Sequence, residues 1–209
     1  MEKVMIVIID YGLGNLGSIK NMLKKIGSEG TISSEILDIE KADKLILPGV
    51  GRFDQGMKNL QGSGLIDALH GKVVKRKTPI LGICLGMQLF ARKSEEGELK
   101  GLGWIDAEAV RFKFNDKESQ LKIPHMGWNM VKIYQRNPLF EGMYPEPRFY
   151  FVHSYHVACR NEEEVLTQTF YGYEFASAIR KENIYGVQFH PEKSHKFGMK
   201  LLDNFITRC

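Results

Sequence analysis

A thiol at Cys84, an imidazole at His190 and a carboxylate at Glu192 are the side chains in this sequence best placed to run nucleophilic acyl chemistry. Cys84 stands in Gly82-Ile83-Cys84-Leu85-Gly86, a G-x-nucleophile-x-G spacing between a short apolar run and the start of a helical one. A nucleophile on a sharp strand-to-helix turn needs strained backbone and small neighbours, and the glycines supply both. The N-terminus of the following helix favours thiolate over thiol. His190 and Glu192 flank Pro191 where another apolar run ends. In an extended segment residues two apart project to the same side, and the proline restricts the backbone between them. A carboxylate beside an imidazole fixes its tautomer and supports the imidazolium. His190 can then take the thiol proton, and Cys84 can attack a carbonyl. An isolated cysteine is most simply a small buried core residue; the glycine spacing and the His-Pro-Glu sequence set this one apart.

The other histidines offer less. His70 and His195 fit exposed helix positions, and His125, His153 and His156 fit the lining of a cleft. None forms a set with Cys, Asp or Glu at metal-ligand spacing, so neither a metal nor a cofactor is expected.

Strands and helices alternate in the first half. Residues 4–9 are continuously apolar, as in a strand buried on both faces, and 35–39 and 44–47 read as further strands. Ile19, Met22, Leu23 and Ile26 fall at helical spacing. Helices are expected over 53–60 and 65–74, and the sequence predicts a parallel sheet with helices on both faces. Cys84 then lies at the carboxyl end of a central strand, where such sheets carry their sites. From about Gly101 the runs become short and rich in aromatic and β-branched residues: 107–112, 130–134, 148–152, 165–171, 176–180 and 184–189. These predict antiparallel strands. A closing helix spans 195–208, with Phe197, Leu201, Leu202, Phe205 and Ile206 inward.

Three loops carry weaker signals. In Pro48-Gly49-Val50-Gly51, glycines after a strand let backbone N–H groups point into a cleft, although a plain turn explains them equally well. Gly12, Gly14 and Gly17 match a dinucleotide-loop spacing, but no acidic residue follows about 20 positions on at the end of a clear second strand. The acidic loop 94–98 is most simply solvated surface.

The chain has 209 residues, 43% of them hydrophobic, enough for one core, and residues 1–209 are expected to form a single domain. A net charge of +4, from 29 basic and 25 acidic residues without basic runs, argues against nucleic-acid binding. No apolar stretch is long enough to span a membrane. Met1-Glu2-Lys3 leads straight into the first strand without a signal-peptide pattern, and three cysteines without metal-type spacing fit a reducing cytoplasm.

Gly82-Ile83-Cys84-Leu85-Gly86-Met87-Gln88 together with His190-Pro191-Glu192 resembles the class I, triad-type glutamine amidotransferases. Asp10-Tyr11-Gly12-Leu13-Gly14-Asn15, Pro48-Gly49-Val50-Gly51, Pro124-His125-Met126-Gly127-Trp128-Asn129 and Tyr150-Phe151-Val152-His153-Ser154-Tyr155 narrow the likeness. They are similar to the glutaminase subunits of imidazole glycerol phosphate synthases, nearly end to end. The resemblance implies a flavodoxin-like α/β fold with added antiparallel strands, and glutamine as substrate. It implies an oxyanion hole at backbone N–H groups of Gly49, Val50, Gly51 and Leu85. Gln88, Glu96, His153, Ser154 and Tyr155 would hold the amino-acid end of glutamine. Asn15, Trp128 and Lys193 would face a (β/α)₈-barrel cyclase partner that receives the ammonia. On this view Gly12-Leu13-Gly14-Asn15 is a docking loop rather than a nucleotide loop. Gly103-Trp104-Ile105-Asp106-Ala107, Pro145-Glu146-Pro147-Arg148 and Ser194-His195-Lys196-Phe197-Gly198 are also similar to a paralogous branch, whose partner is a sugar-amidotransferase synthase in surface-polysaccharide assembly.

Overall fold

Uninterrupted apolar runs are satisfied only where both faces of a strand are covered, and here such runs build the middle of one sheet. The structure, a computed structural model, describes residues 4–114 and 121–209; Met1-Glu2-Lys3 lies outside them. In chain order the first half holds β1 (Ile6–Ile9), α1 (Leu16–Lys25), β2 (Gly30–Ser33), α2 (Ile36–Lys41), β3 (Lys44–Gly49), α3 (Phe53–Gly62), α4 (Leu65–His70), β4 (Ile80–Cys84) and α5 (Leu85–Leu89). Then follow β5 (Lys93–Ser94), β6 (Ala107–Arg111), β7 (His125–Met130), β8 (Lys132–Ile133), β9 (Arg148–His153) and β10 (Tyr155–Cys159). The chain continues through β11 (Val165–Tyr171), β12 (Tyr173–Lys181), β13 (Ile184–Val187) and α6 (His195–Arg208).

Among the described residues, the main sheet runs β2-β1-β3-β4-β13-β12-β10-β6-β5, with β11 on β12 and β8 on β11. From β2 to β13 the pairs are parallel; β13–β12, β12–β10 and β10–β6 are antiparallel. β7 and β9 form a separate antiparallel pair. Alternation along β1 splits the core: Val7 and Ile9 join Phe53, Met57 and Leu65 on one face, while Ile6 and Ile8 join Ile19, Leu202 and Phe205 on the other. No helix among the described residues is long and apolar enough to cross a membrane.

Two registers place the site. Gly49 in β3 pairs with Cys84 in β4, and Val187 in β13 pairs with Ile83. The ends of three adjacent parallel strands therefore lie side by side. Cys84 turns the chain with φ 55° and ψ −109°, a conformation that costs of order 1–3 kcal/mol in a non-glycine residue. The glycines around it allow close packing. A Cβ on Gly86 would lie 1.9 Å from the Leu47 carbonyl oxygen, and one on Gly82 would lie 2.5 Å from the Phe90 ring.

Several expectations need correction. Residues 36–39 belong to a helix, α2, with Glu35 as its N-cap, and the strand before it is Gly30–Ser33. The Ser33 hydroxyl accepts from the Glu35 N–H at 3.0 Å and donates to Asp38 at 2.6 Å, a helix-start arrangement hidden by the apparent alternation of polar and apolar residues. The run 130–134 is not one strand. Met130 ends β7 in the small sheet, whereas Lys132 and Ile133 pair with β11 in the large one. The segment 125–129, outside the expected strand runs, is itself strand, and β10 was not anticipated. The helix over 65–74 is α-helical only to His70 and continues as a π turn, Gly71–Lys75. The helix after Cys84 has only five residues, so its dipole is short.

Because the Leu47 carbonyl is backbone and cannot swing aside, Gly86→Ala is expected to destabilise the protein by about 3 kcal/mol, the upper end of overpacking costs. Urea unfolding of the variant against the parent checks this; equal midpoints would mean that the elbow has room to spare.

Candidate active site

β4 delivers Cys84, and the segment after β13 delivers His190 across from it. His190 Nδ1 donates to Glu192 Oε1 at 2.8 Å, and both side chains are buried. The means differs from the extended segment expected, because Pro191–Lys193 is a 3₁₀ turn. Tight winding, not alternation, brings the carboxylate back to the ring. The turn is pinned to β9: the His190 N–H donates to the Tyr150 carbonyl at 2.9 Å, and the Ser194 hydroxyl links the His190 carbonyl to the Tyr150 N–H.

The other ring nitrogen, His190 Nε2, is buried and has no partner in hydrogen-bonding geometry, yet Cys84 is near enough to act on the charge of the ring. Burial opposes the imidazolium, but Cys84 and Glu192 outweigh it and raise the His190 pKa to about 10. Burial likewise pushes the Glu192 carboxyl up, and its bonds from His190 and Asn15 bring it below the ordinary value. Asn15 Nδ2 donates to the same Glu192 oxygen at 2.9 Å. Asn15, expected at a docking face, touches the carboxylate that holds His190. No signal in the sequence pointed to that contact.

A cavity of about 290 Å³ opens at Cys84, lined by Val50, Gly51, Leu85, Gln88, Glu96, His153, Ser154, Tyr155 and His190 among others. Of the residues expected to form an oxyanion hole, Val50, Gly51 and Leu85 therefore line it, while Gly49 in β3 does not. Gln88 Nε2 donates to the Tyr155 carbonyl at 2.9 Å and to Gln188 Oε1 at 3.0 Å. Gln188, given no role by the sequence, reaches Cys84 Sγ with its Nε2 at 3.6 Å. The acidic loop is not free surface. Glu96 Oε2 accepts from the Phe53 N–H at 2.8 Å, and Asp54 accepts from the N–H groups of Glu98 and Leu99, so the loop is tied to the start of α3.

Behind the cavity lies a directed chain of histidines. The Tyr155 carbonyl can only accept, so His153 Nδ1 donates to it at 2.8 Å. Burial holds His153 well below its ordinary pKa and His125 at about 4, so both are neutral at pH 7. His153 Nε2 therefore accepts from His125 Nδ1 at 3.0 Å, and His125 Nε2 accepts from Asn129 Nδ2 at 3.2 Å. This fixes every tautomer from β7 to the cavity. No metal-type cluster of His, Cys, Asp and Glu occurs among the described residues. Trp128 and Lys193 come together at the surface. Trp128 is half exposed beside exposed Met126 and Met130 on β7 and stacks on His195 at 5.4 Å, and the Lys193 ammonium lies over the Tyr150 ring.

The family model for glutamine amidotransferase class-I matches residues 7–209. The chain is 60% identical, over 98% of its length and all of the relative, to imidazole glycerol phosphate synthase subunit HisH 2 of Methanococcus maripaludis. It is 49% identical to the subunit HisH 2 of Pseudomonas aeruginosa, over 97% of this chain and 98% of that one. Among solved structures, a glutamine amidotransferase shares the fold with a TM-score of 0.70 at 21% identity, covering 95% of this chain and 96% of that one. PurLQS from Thermotoga maritima does so with a TM-score of 0.71 at 17% identity, covering 98% of each chain.

Burial lowers the His156 pKa to about 4. An unfolded imidazole titrates near 6.5, so below that pH the unfolded chain binds more protons and stability falls as pH falls. His125 and His153 act in the same direction. His190 acts in the opposite one: its raised pKa makes its contribution full below about 6.5, and that contribution is lost as pH rises towards 10. From pH 7 to 5 His156 alone costs about 2 kcal/mol. His156→Phe, which keeps the packing on the Phe112 ring 4.8 Å away, is expected to lose less melting temperature over that range than the parent. Parallel melting curves at pH 7, 6 and 5 decide it, and equal losses would count against a neutral His156.

Proposed function

The chain belongs to the class-I glutamine amidotransferase family, and we propose that it is the glutaminase subunit of an imidazole glycerol phosphate synthase, releasing ammonia from glutamine for a cyclase partner in histidine biosynthesis. The observation that carries this reading is the shared cavity of Cys84 and His190, with His190 held to Glu192 at 2.8 Å. The relatives reported above support the histidine-pathway reading. None of them supports the sugar-amidotransferase alternative raised by residues 103–107, 145–148 and 194–198.

The chemistry follows from the placement. His190 takes the Cys84 proton, and the thiolate attacks the side-chain amide carbon of glutamine. The oxyanion is held by backbone N–H groups of Leu85 and the Gly49–Gly51 loop, an arrangement in which one donor is worth roughly 3–4 kcal/mol. The C–N bond breaks as His190 returns the proton to nitrogen, and ammonia leaves a γ-glutamyl thioester on Cys84. Water then attacks, its proton passes to His190, the C–S bond breaks, and glutamate and the thiol are regenerated. Gln88, Glu96 and the His153-Ser154-Tyr155 backbone hold the amino-acid end of the substrate. Glu96 supplies the counter-charge to its ammonium. Glu192 holds the His190 tautomer throughout.

Residues 1–209 work as one glutaminase domain in the cytoplasm. The partner is a (β/α)₈ barrel that docks on Trp128 and Lys193 beside Asn15, and ammonia passes through it to a ribotide acceptor. The cyclase reaction belongs to that partner. Without it, glutamine turnover is expected to be very slow.

Reconstitution with the cyclase tests the reading. Glutamate release should rise strongly when cyclase and its acceptor are added, and Cys84→Ser should lower it at least about a thousandfold. Full glutaminase turnover without the partner would remove the coupling, and an active Cys84→Ser variant would remove the mechanism.

A further inference from the structure

Gln188 leaves the end of β13 fully buried, one residue beyond the Val187–Ile83 pair, and so arrives beside Cys84. Its Nε2 lies 3.6 Å from Cys84 Sγ and its Oε1 lies 3.0 Å from Gln88 Nε2. Which end of the amide faces the sulfur follows from its neighbours. The Tyr155 carbonyl can only accept, so the Gln88 atom 2.9 Å from it is nitrogen. That same nitrogen requires an acceptor on Gln188. The Gln188 oxygen therefore faces Gln88, and its nitrogen faces the sulfur. The reversed amide would set nitrogen against nitrogen and oxygen against sulfur, unfavourable at both ends and worst when the sulfur is charged.

Apart from the His190 ring, the sulfur has little other support for its charge. The helix that follows is only five residues long. The Val152 carbonyl, 4.0 Å from Sγ, is an acceptor, so it suits the thiol and opposes the thiolate. We propose that Gln188 is a further catalytic residue: its side-chain N–H donates to the Cys84 thiolate, and Gln88 locks the amide in the donating orientation. The bond is strong to a charged sulfur and weak to a thioester sulfur. It therefore favours the thiolate before attack and again when the C–S bond breaks and the electron pair returns to sulfur. A residue present only for packing would leave the ionisation of the thiol alone.

The test is a pH titration of thiolate absorbance near 240 nm in the full chain, taken as the difference between each protein and its Cys84→Ser counterpart. Gln188→Met fills the same space without a donor. Its thiolate midpoint is expected about one pH unit or more above that of the parent, the size of one hydrogen bond to a charged group. Gln188→Glu, which replaces the donor with a negative acceptor, should move it further in the same direction. With the cyclase bound, Gln188→Met should lower kcat on the order of ten- to a hundredfold with little change in KM. A midpoint in Gln188→Met equal to the parent value overturns the proposal, whatever the activity. If Gln188→Met does not fold, an unshifted Gln188→Glu overturns it equally. The titration needs no substrate, so its result is independent of whether glutamine is the amide attacked.

Discussion

Everything at the site depends on the register of three parallel strands. β4 sits between β3 and β13, with Gly49 opposite Cys84 and Val187 opposite Ile83. One further residue along β13 brings Gln188 level with the sulfur, and the turn beyond it brings His190. A slip of one residue in either pair would exchange the faces of the strand and send the nucleophile and its partners to opposite sides of the sheet. Strands buried on both faces by two cores strongly resist such a slip, because every alternate side chain would enter the wrong core.

The polar groups near Cys84 are tied to backbone rather than left to find their own positions. The His190 main chain is held by the Tyr150 carbonyl, and among the side chains Gln88 is held by the Tyr155 carbonyl, Glu96 by the Phe53 N–H, and His153 by the Tyr155 carbonyl. Acceptor-only and donor-only backbone groups remove the ambiguity of imidazole and amide side chains. The strain at Cys84 is maintained by the same surroundings, since Gly82 and Gly86 let neighbouring backbone close around it. The Glu192 carboxylate is the exception. Asn15, on the loop before α1, and not a core strand, supplies its second hydrogen bond.

Much of this was legible in the sequence. The apolar run into Gly82-Ile83-Cys84-Leu85-Gly86 marked a central strand with Cys84 at its end, and the periodicity of 195–208 gave α6 with its bounds. Glu35-Ile36-Leu37-Asp38-Ile39 misled because polar and apolar residues alternate only in part, and Ile36 and Leu37 are exposed in the structure. The Ser33 bonds to the Glu35 N–H and to Asp38 depend on side-chain direction, which spacing does not reveal. The pairing of Glu192 with His190 was anticipated by the wrong geometry, since His190 is extended but the chain winds into a 3₁₀ turn directly after it. Gln188 and the histidine chain were out of reach. Their partners, Gln88, Tyr155, Asn129 and His125, are far away or belong to strands whose pairing no local pattern specifies.

The order of strands in the main sheet differs from their order along the chain. β13, the last strand, lies in the middle, between β4 and β12. As the polypeptide emerges from the ribosome, β1 to β4 can associate early through nearby βα units, but the gap beside β4 stays open until residue 187 has been made. Non-local closure of this kind is the slow part of assembling a sheet. The newborn cysteine therefore passes most of synthesis without its imidazole.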